Sequence, residues 1–207
     1  LKTIGLGVST AITYQNENEF FKVDWLSTQQ IKEQILILLK KYKVEFVKIG
    51  LVENTDALNS IIDYLLELKK DINIIWDPIL KASTGFDFKH DLSPEKLNSI
   101  YNKIYLITPN WNEIQQLAPG IPTMEAGKKI AEKCNVFLKG GHNEQNKGRD
   151  LLFTNGKVYP FRPKMEIKYP KHGTGCVLSS AITALLARGF KLNRACLISK
   201  DYITGFL

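Results

Sequence analysis

EFVKIGLVENTDALNSIIDYLLELKKDINIIWDP, residues 45–78, reads as one strand-helix-strand unit. Residues 45–50 and 72–77 are short β-rich runs, and residues 56–70 between them form a helix-length amphipathic stretch. The same alternation continues outward on both sides. Upstream, residues 8–14 read as a strand and 28–42 as a helix; downstream come a helix at 94–102, a strand at 104–108, short helices at 112–117 and 124–133, and a strand at 136–139. Residues 151–154 and 157–161, joined through Asn155-Gly156, carry the signal of a hairpin with a type I′ turn, and two helices close the chain. Repeated strand-helix alternation implies right-handed crossovers and a mostly parallel sheet covered by helices, the α/β class. In such sheets ligands gather at the carboxyl ends of the strands. That rule selects Gln15, Gly50, Asp77, Asn110 and Gly140-Gly141.

The 207 residues suit one domain with a full core, and 44% hydrophobic with 24% charged content is ordinary for a soluble globular chain. The longest strictly aliphatic run, residues 35–39, is too short to cross a bilayer, and no basic region followed by an apolar block opens the sequence. No membrane association and a cytoplasmic location are expected. The net charge of +7 is spread over scattered lysines, with pairs such as Lys40-Lys41, Lys69-Lys70 and Lys128-Lys129 near helix ends. No basic stripe interleaves with aromatics, so nucleic acid is not an expected partner, and a small anionic substrate suits the excess better. Cys134, Cys176 and Cys196 are widely spaced without a CxxC, which suggests neither a disulfide framework nor a zinc site. The chain opens on Leu1 and ends on Phe206-Leu207, and is expected to be a piece of a longer product.

The segment KHGTGCVLSSAITALLARG, residues 171–189, opens a helix with glycines. Val177, Leu178, Ala181, Ile182, Leu185 and Leu186 recur at helical spacing, and Gly189 stands where a left-handed stop belongs. Gly173 and Gly175 can turn consecutive N–H groups outward at the positive end of the helix dipole, forming an anion cradle. Beside it the Cys176 thiolate is expected to be favoured. The same residues also read as a Gly-rich cap on a buried helix, with Cys176 a small core residue. Asp77, before Pro78, suits a metal ligand or a turn cap. Asn110 and Glu113, three apart, suit a capping box or a hydrated Mg²⁺. Lys139, before Gly140-Gly141, suits a phosphate or plain solvation, while His142 reads as a loop residue.

VKIG, DPIL, TPNWNEI, LKGGH and HGTGC followed by LSSAI, in this order and near these intervals, resemble the hydroxymethylpyrimidine/phosphomethylpyrimidine kinases of thiamine biosynthesis. These belong to the ribokinase-like superfamily. The resemblance spans nearly the whole chain. It implies a three-layer ribokinase-like fold, with residues 1–207 a single kinase domain lacking the N-terminal strand, its Gly-rich loop and a C-terminal tail. The implied reaction is ATP-dependent phosphorylation of a pyrimidine hydroxymethyl group and then of the monophosphate. By the same resemblance Gly173, Thr174, Gly175 and Cys176 form the anion hole with Cys176 as base, and Lys139, Lys200, Asn110 and Thr174 meet ATP. Asp77 and Glu113 surround Mg²⁺. Gln15 reads the pyrimidine edge, and Leu51 and Ile79 line its apolar side. A homodimer is implied as well. LKTIGLGV resembles the stretch just after the family's Gly-rich loop, and the chain looks slightly short between GLGV and AITYQN. The alternatives are a pyridoxal kinase of the same superfamily, which Gln15 disfavours, and a non-catalytic pyrimidine-binding regulatory protein.

Overall fold

The computed structural model describes residues 3–16, 18–81, 88, 91–142, 148–162 and 173–205. Lys171 and His172 of the Gly-rich segment lie outside the described residues. The chain enters through β1 (Ala11–Gln15) and β2 (Phe20–Trp25), which pair antiparallel as a separate two-stranded sheet. The expectation of a first strand at 8–14 leading into the main sheet is corrected here, because β1 pairs only with β2 among the described strands. β2 itself is not predicted by the sequence. Its Lys22 and Asp24 ion-pair at the surface, and a strand that buries this little shows no clean apolar alternation.

α1 (Thr28–Lys41) starts at a capping box between Ser27 and Gln30. Next come β3 (Phe46–Ile49), α2 (Thr55–Leu68), β4 (Asn73–Trp76), α3 (Pro94–Tyr101) and β5 (Leu106–Ile107). Asn54 caps α2, and Pro94 sits at the first helical position, where a missing N–H costs nothing. Then follow α4 (Trp111–Leu117), α5 (Thr123–Ile130), β6 (Asn135–Leu138), a 3₁₀ turn at Gly140–His142, β7 (Asp150–Thr154) and β8 (Lys157–Phe161). The β7–β8 turn is the expected one: Asn155 and Gly156 both take positive φ, as type I′ requires. α6 (Thr174–Ala187) and α7 (Leu192–Thr204) complete the chain. α6 ends in a Schellman motif at Gly189, φ +82°, where the Gly189 and Phe190 N–H groups donate to the Leu186 and Leu185 carbonyls.

The main sheet runs in the order β3-β4-β5-β6-β7-β8, parallel from β3 to β6 and antiparallel thereafter. Successive strand residues point to opposite faces. Ile74, Trp76, Val136, Leu138 and Phe153 therefore face α1 to α5, while Ile75, Leu106, Phe137 and Leu152 face α6 and α7. The strands buried on both sides are accordingly near-continuous apolar runs. The result is the expected three-layer arrangement, with the ends of β4, β5 and β6 opening beside the start of α6.

Candidate active site

Asp77 follows β4 and is 1% exposed. Its Oδ1 accepts from Lys139 Nζ at 2.7 Å and Thr108 Oγ1 at 3.0 Å, and its Oδ2 accepts from Ser179 Oγ at 2.9 Å. Lys48 Nζ lies 3.6 Å from Oδ2. Burial pushes this carboxyl up, but Lys139 and Lys48 outweigh it and hold Asp77 below the usual carboxylate range. Both oxygens of Asp77, expected from the sequence beside a metal, are engaged by protein donors in this structure, with Lys139 as the close counter-charge. Among the described residues no cluster of three His, Cys, Asp or Glu could hold a metal.

Neighbouring strand ends converge on this carboxylate. The Lys139 N–H donates to the Pro109 carbonyl at 2.8 Å, and Asn110 and Lys139 form an isolated parallel bridge. Asn110 and Glu113 form the capping box: Asn110 Oδ1 accepts from the Asn112 and Glu113 N–H groups, and Glu113 Oε2 accepts from the Asn110 N–H at 2.6 Å. The Asn110 side-chain oxygen is thus turned to α4. Burial pushes the Glu113 carboxyl up to about 7, against the pull of Lys139, whose Nζ is 3.7 Å away, and of the Asn110 N–H.

Lys200, expected at the ATP phosphates, is buried in the last helix. Its Nζ pairs with Asp150 Oδ2 at 2.7 Å and donates to the Gly148 carbonyl at 2.6 Å. Asp150 Oδ1 accepts from the Gly140 N–H at 2.7 Å, so Lys200 braces the loop after β6 from within. A Cβ on Gly140 would overlap the Arg149 carbonyl, which explains the glycine.

α6 begins at Gly173 with φ +82° and no side-chain cap; α3, α5 and α7 also lack one, but among the described helices α6 alone starts on a left-handed glycine. Lys139 Nζ lies 3.3 Å from where a Gly175 Cβ would stand. Thr174, Gly175 and Cys176 are half-buried here. The sequence favoured a lowered thiol at Cys176; the structure reverses that. Burial, then the charge of Asp77, push it up, with Lys48 and Lys139 opposing.

On the far side of Asp77, Lys48 Nζ and Ile79 Cδ1 stand 3.0 and 3.5 Å from the Cβ position of Gly50. Leu51 is half-buried, and its carbonyl accepts from Thr10 Oγ1 at 2.7 Å, tying the start of the β1–β2 hairpin to the loop after β3. Gln15 is exposed at the end of β1, its Nε2 donating to Thr13 Oγ1 at 3.1 Å. Lys48 was not singled out from the sequence. The available signal was a lysine inside an otherwise apolar parallel strand, two residues before a glycine at the ligand-binding end.

The profile of the phosphomethylpyrimidine kinase family matches residues 1–207. A hydroxymethylpyrimidine/phosphomethylpyrimidine kinase of Aquifex aeolicus is 33% identical, over 97% of this chain and 81% of that protein. The crystal structure of a phosphomethylpyrimidine kinase from Clostridium difficile superposes with a TM-score of 0.79 at 30% identity, covering 99% of this chain and 87% of that one. An ADP complex of Bacillus subtilis pyridoxal kinase gives a TM-score of 0.76 at 25% identity, over 94% and 76% of the two chains.

Proposed function

The chain belongs to the phosphomethylpyrimidine kinase family, and from that membership we propose that it transfers the terminal phosphoryl group of ATP to hydroxymethylpyrimidine and then to the monophosphate, in thiamine biosynthesis. One observation carries the reading: the Lys139 ammonium, tethered by Asp77, meets the first turn of α6, which starts on a left-handed glycine without a side-chain cap. Cation and outward N–H groups at one point are what a moving phosphoryl group requires.

In this reading the Thr174, Gly175 and Cys176 N–H groups hold the transferring phosphoryl oxygens, and Lys139 neutralises the departing phosphates. The acceptor alcohol attacks the γ-phosphorus. A new P–O bond forms, the bond to the bridging oxygen breaks, ADP leaves with that electron pair, and the alcohol proton passes to the Cys176 thiolate. The raised thiol makes that thiolate a minor species near neutrality but a stronger base once formed. Leu51 and Ile79 supply the apolar wall, and Gln15 reads the pyrimidine edge. Mg²⁺, when bound, supplies charge neutralisation on the triphosphate. Glu113, beside Lys139, is the carboxylate suited to hold its water shell, since such an ion needs few protein ligands. We take residues 1–207 as one kinase domain, because both core layers share the six-stranded sheet. On the family resemblance we place it in the cytoplasm as a homodimer; no helix among the described residues is long and apolar enough to cross a membrane.

The structural likeness to a pyridoxal kinase makes pyridoxal the competing acceptor. ADP release measured with hydroxymethylpyrimidine, its monophosphate and pyridoxal decides between them. Turnover on the two pyrimidines is expected; turnover confined to pyridoxal overturns the assignment, and pyrimidine binding without ADP release identifies a silent binding protein instead.

A further inference from the structure

The two transfers differ in the charge of their acceptor. In the first it is a neutral alcohol, served by a base and an apolar pocket. In the second it is a phosphate monoester, which carries up to two negative charges and must approach another phosphate. None of Gln15, Leu51, Ile79 and Cys176 offers a positive side chain for it.

Lys48 stands where one is needed. Strand alternation turns Lys48, like Phe46 before it and Ile75 beside it in register, toward the α6 face of the sheet. Its side chain is 18% exposed, and its ammonium hangs over Gly50 beside Ile79, the wall assigned to the acceptor. Asp77 separates it from Lys139. Lys139 takes Oδ1 at 2.7 Å, whereas Lys48 is 3.6 Å from an Oδ2 already filled by the Ser179 hydroxyl, beyond hydrogen-bond reach. Asp77 is therefore shared by two ammonium groups, of which Lys139 also has Glu113 at 3.7 Å, and the looser one, Lys48, lies on the acceptor side. A half-buried ammonium held this loosely by its counter-ion is costly until an anion meets it.

Resting on the kinase reading above, we infer that Lys48 receives the phosphate of the monophosphate acceptor and so determines whether the second transfer follows the first. In that step an ionised oxygen of the acceptor phosphate attacks the γ-phosphorus. The new P–O bond forms as the bond to the bridging oxygen breaks, and ADP leaves with the electron pair. No proton has to be removed, so the work shifts from the Cys176 thiolate to cations that damp the repulsion between the two phosphates.

The test compares both acceptors, with ATP and Mg²⁺, in wild type, Lys48→Gln, Lys48→Met and Lys48→Arg. For the Gln and Met variants kcat/KM with the monophosphate is expected to fall roughly tenfold to a hundredfold further than with the alcohol, the range of one hydrogen bond to a charged group. Most of that fall should lie in KM, and the Arg variant should recover part of it. Two neutral replacements of different polarity guard against a single misfolded protein, with folding checked by thermal unfolding. Equal losses on both acceptors, or no selective loss in a folded variant, overturn the inference and leave the kinase reading standing. Wild-type enzyme that uses only the alcohol also overturns it, and wild-type enzyme that uses neither pyrimidine overturns both.

Discussion

Asp77 shows how little a single residue's type says about its work. A carboxylate at a strand end before proline suits a metal or a turn cap, and only the arrival of Lys139, Thr108 and Ser179 from distant positions makes it a counter-ion as well. Glu113 shows the reverse, since its capping box with Asn110 is local and legible from a spacing of three. What spacing could not show is the burial that raises its carboxyl from 4.5 to about 7. The folded protein therefore binds this proton more tightly than the unfolded chain does, so the group's contribution to stability is complete below pH 4.5 and is lost as pH rises through about 7. Glu113→Gln keeps an acceptor for the Asn110 N–H and removes the titration; its Tm is expected to decline less than that of wild type across this window, as calorimetry at stepped pH will read. Cys176→Ala should lower the first transfer by about a hundredfold or more, the usual share of a general base, with little change in KM for ATP. The second transfer, which needs no proton acceptor, should suffer less. Steady-state kinetics on both pyrimidines checks the contrast, and loss of nucleotide binding in the folded variant would contradict the role given to the thiol.

At the scale of elements, the legible parts are those whose signals are periodic and short in range. The helix expected at residues 56–70 is observed as Thr55–Leu68, and the strand expected at 72–77 as Asn73–Trp76, because an amphipathic stripe and an apolar run each report their own burial. β2 escaped because its alternation is interrupted by exposed Phe21, Lys22 and the Lys22–Asp24 pair. The loop after β6 rests on a contact invisible in sequence: the Gly140 N–H reaches Asp150 Oδ1, and the Arg149 backbone fills the space where a side chain would stand. Gly140→Ala must push the two backbones apart, and is expected to destabilise the fold by about 1–3 kcal/mol, the cost of overpacking. Because Lys139 directly precedes this loop, the KM for ATP should rise as well. Urea unfolding together with ATP titration measures both effects, and an unchanged Tm would show that the loop relaxes freely.

For the whole molecule, the β1–β2 hairpin is the part that the main sheet does not absorb. Phe20 and Trp25 anchor its base through edge contacts to Phe88 at 5.5 and 6.0 Å, while Ile12 and Tyr14 share a face and are 57% and 47% exposed. In the proposed homodimer this is the face for a second copy to cover. Light scattering is expected to give twice the chain mass for wild type and the monomer mass for Ile12→Asp; a wild-type monomer at micromolar concentration would remove the dimer from the account. The amino-acid sequence by itself determined the α/β class, the three layers, the I′ hairpin, the glycine-opened α6 and the family, since periodicity, turn chemistry and ordered motifs are written along neighbouring residues. Only the tertiary structure decided that Asp77 is a counter-ion, that Lys200 faces inward to Asp150, that Lys48 joins the site and that the Cys176 thiol is raised. Those outcomes depend on which charges meet across the sheet and how much water is excluded between them, and neither quantity is a property of any local stretch of chain.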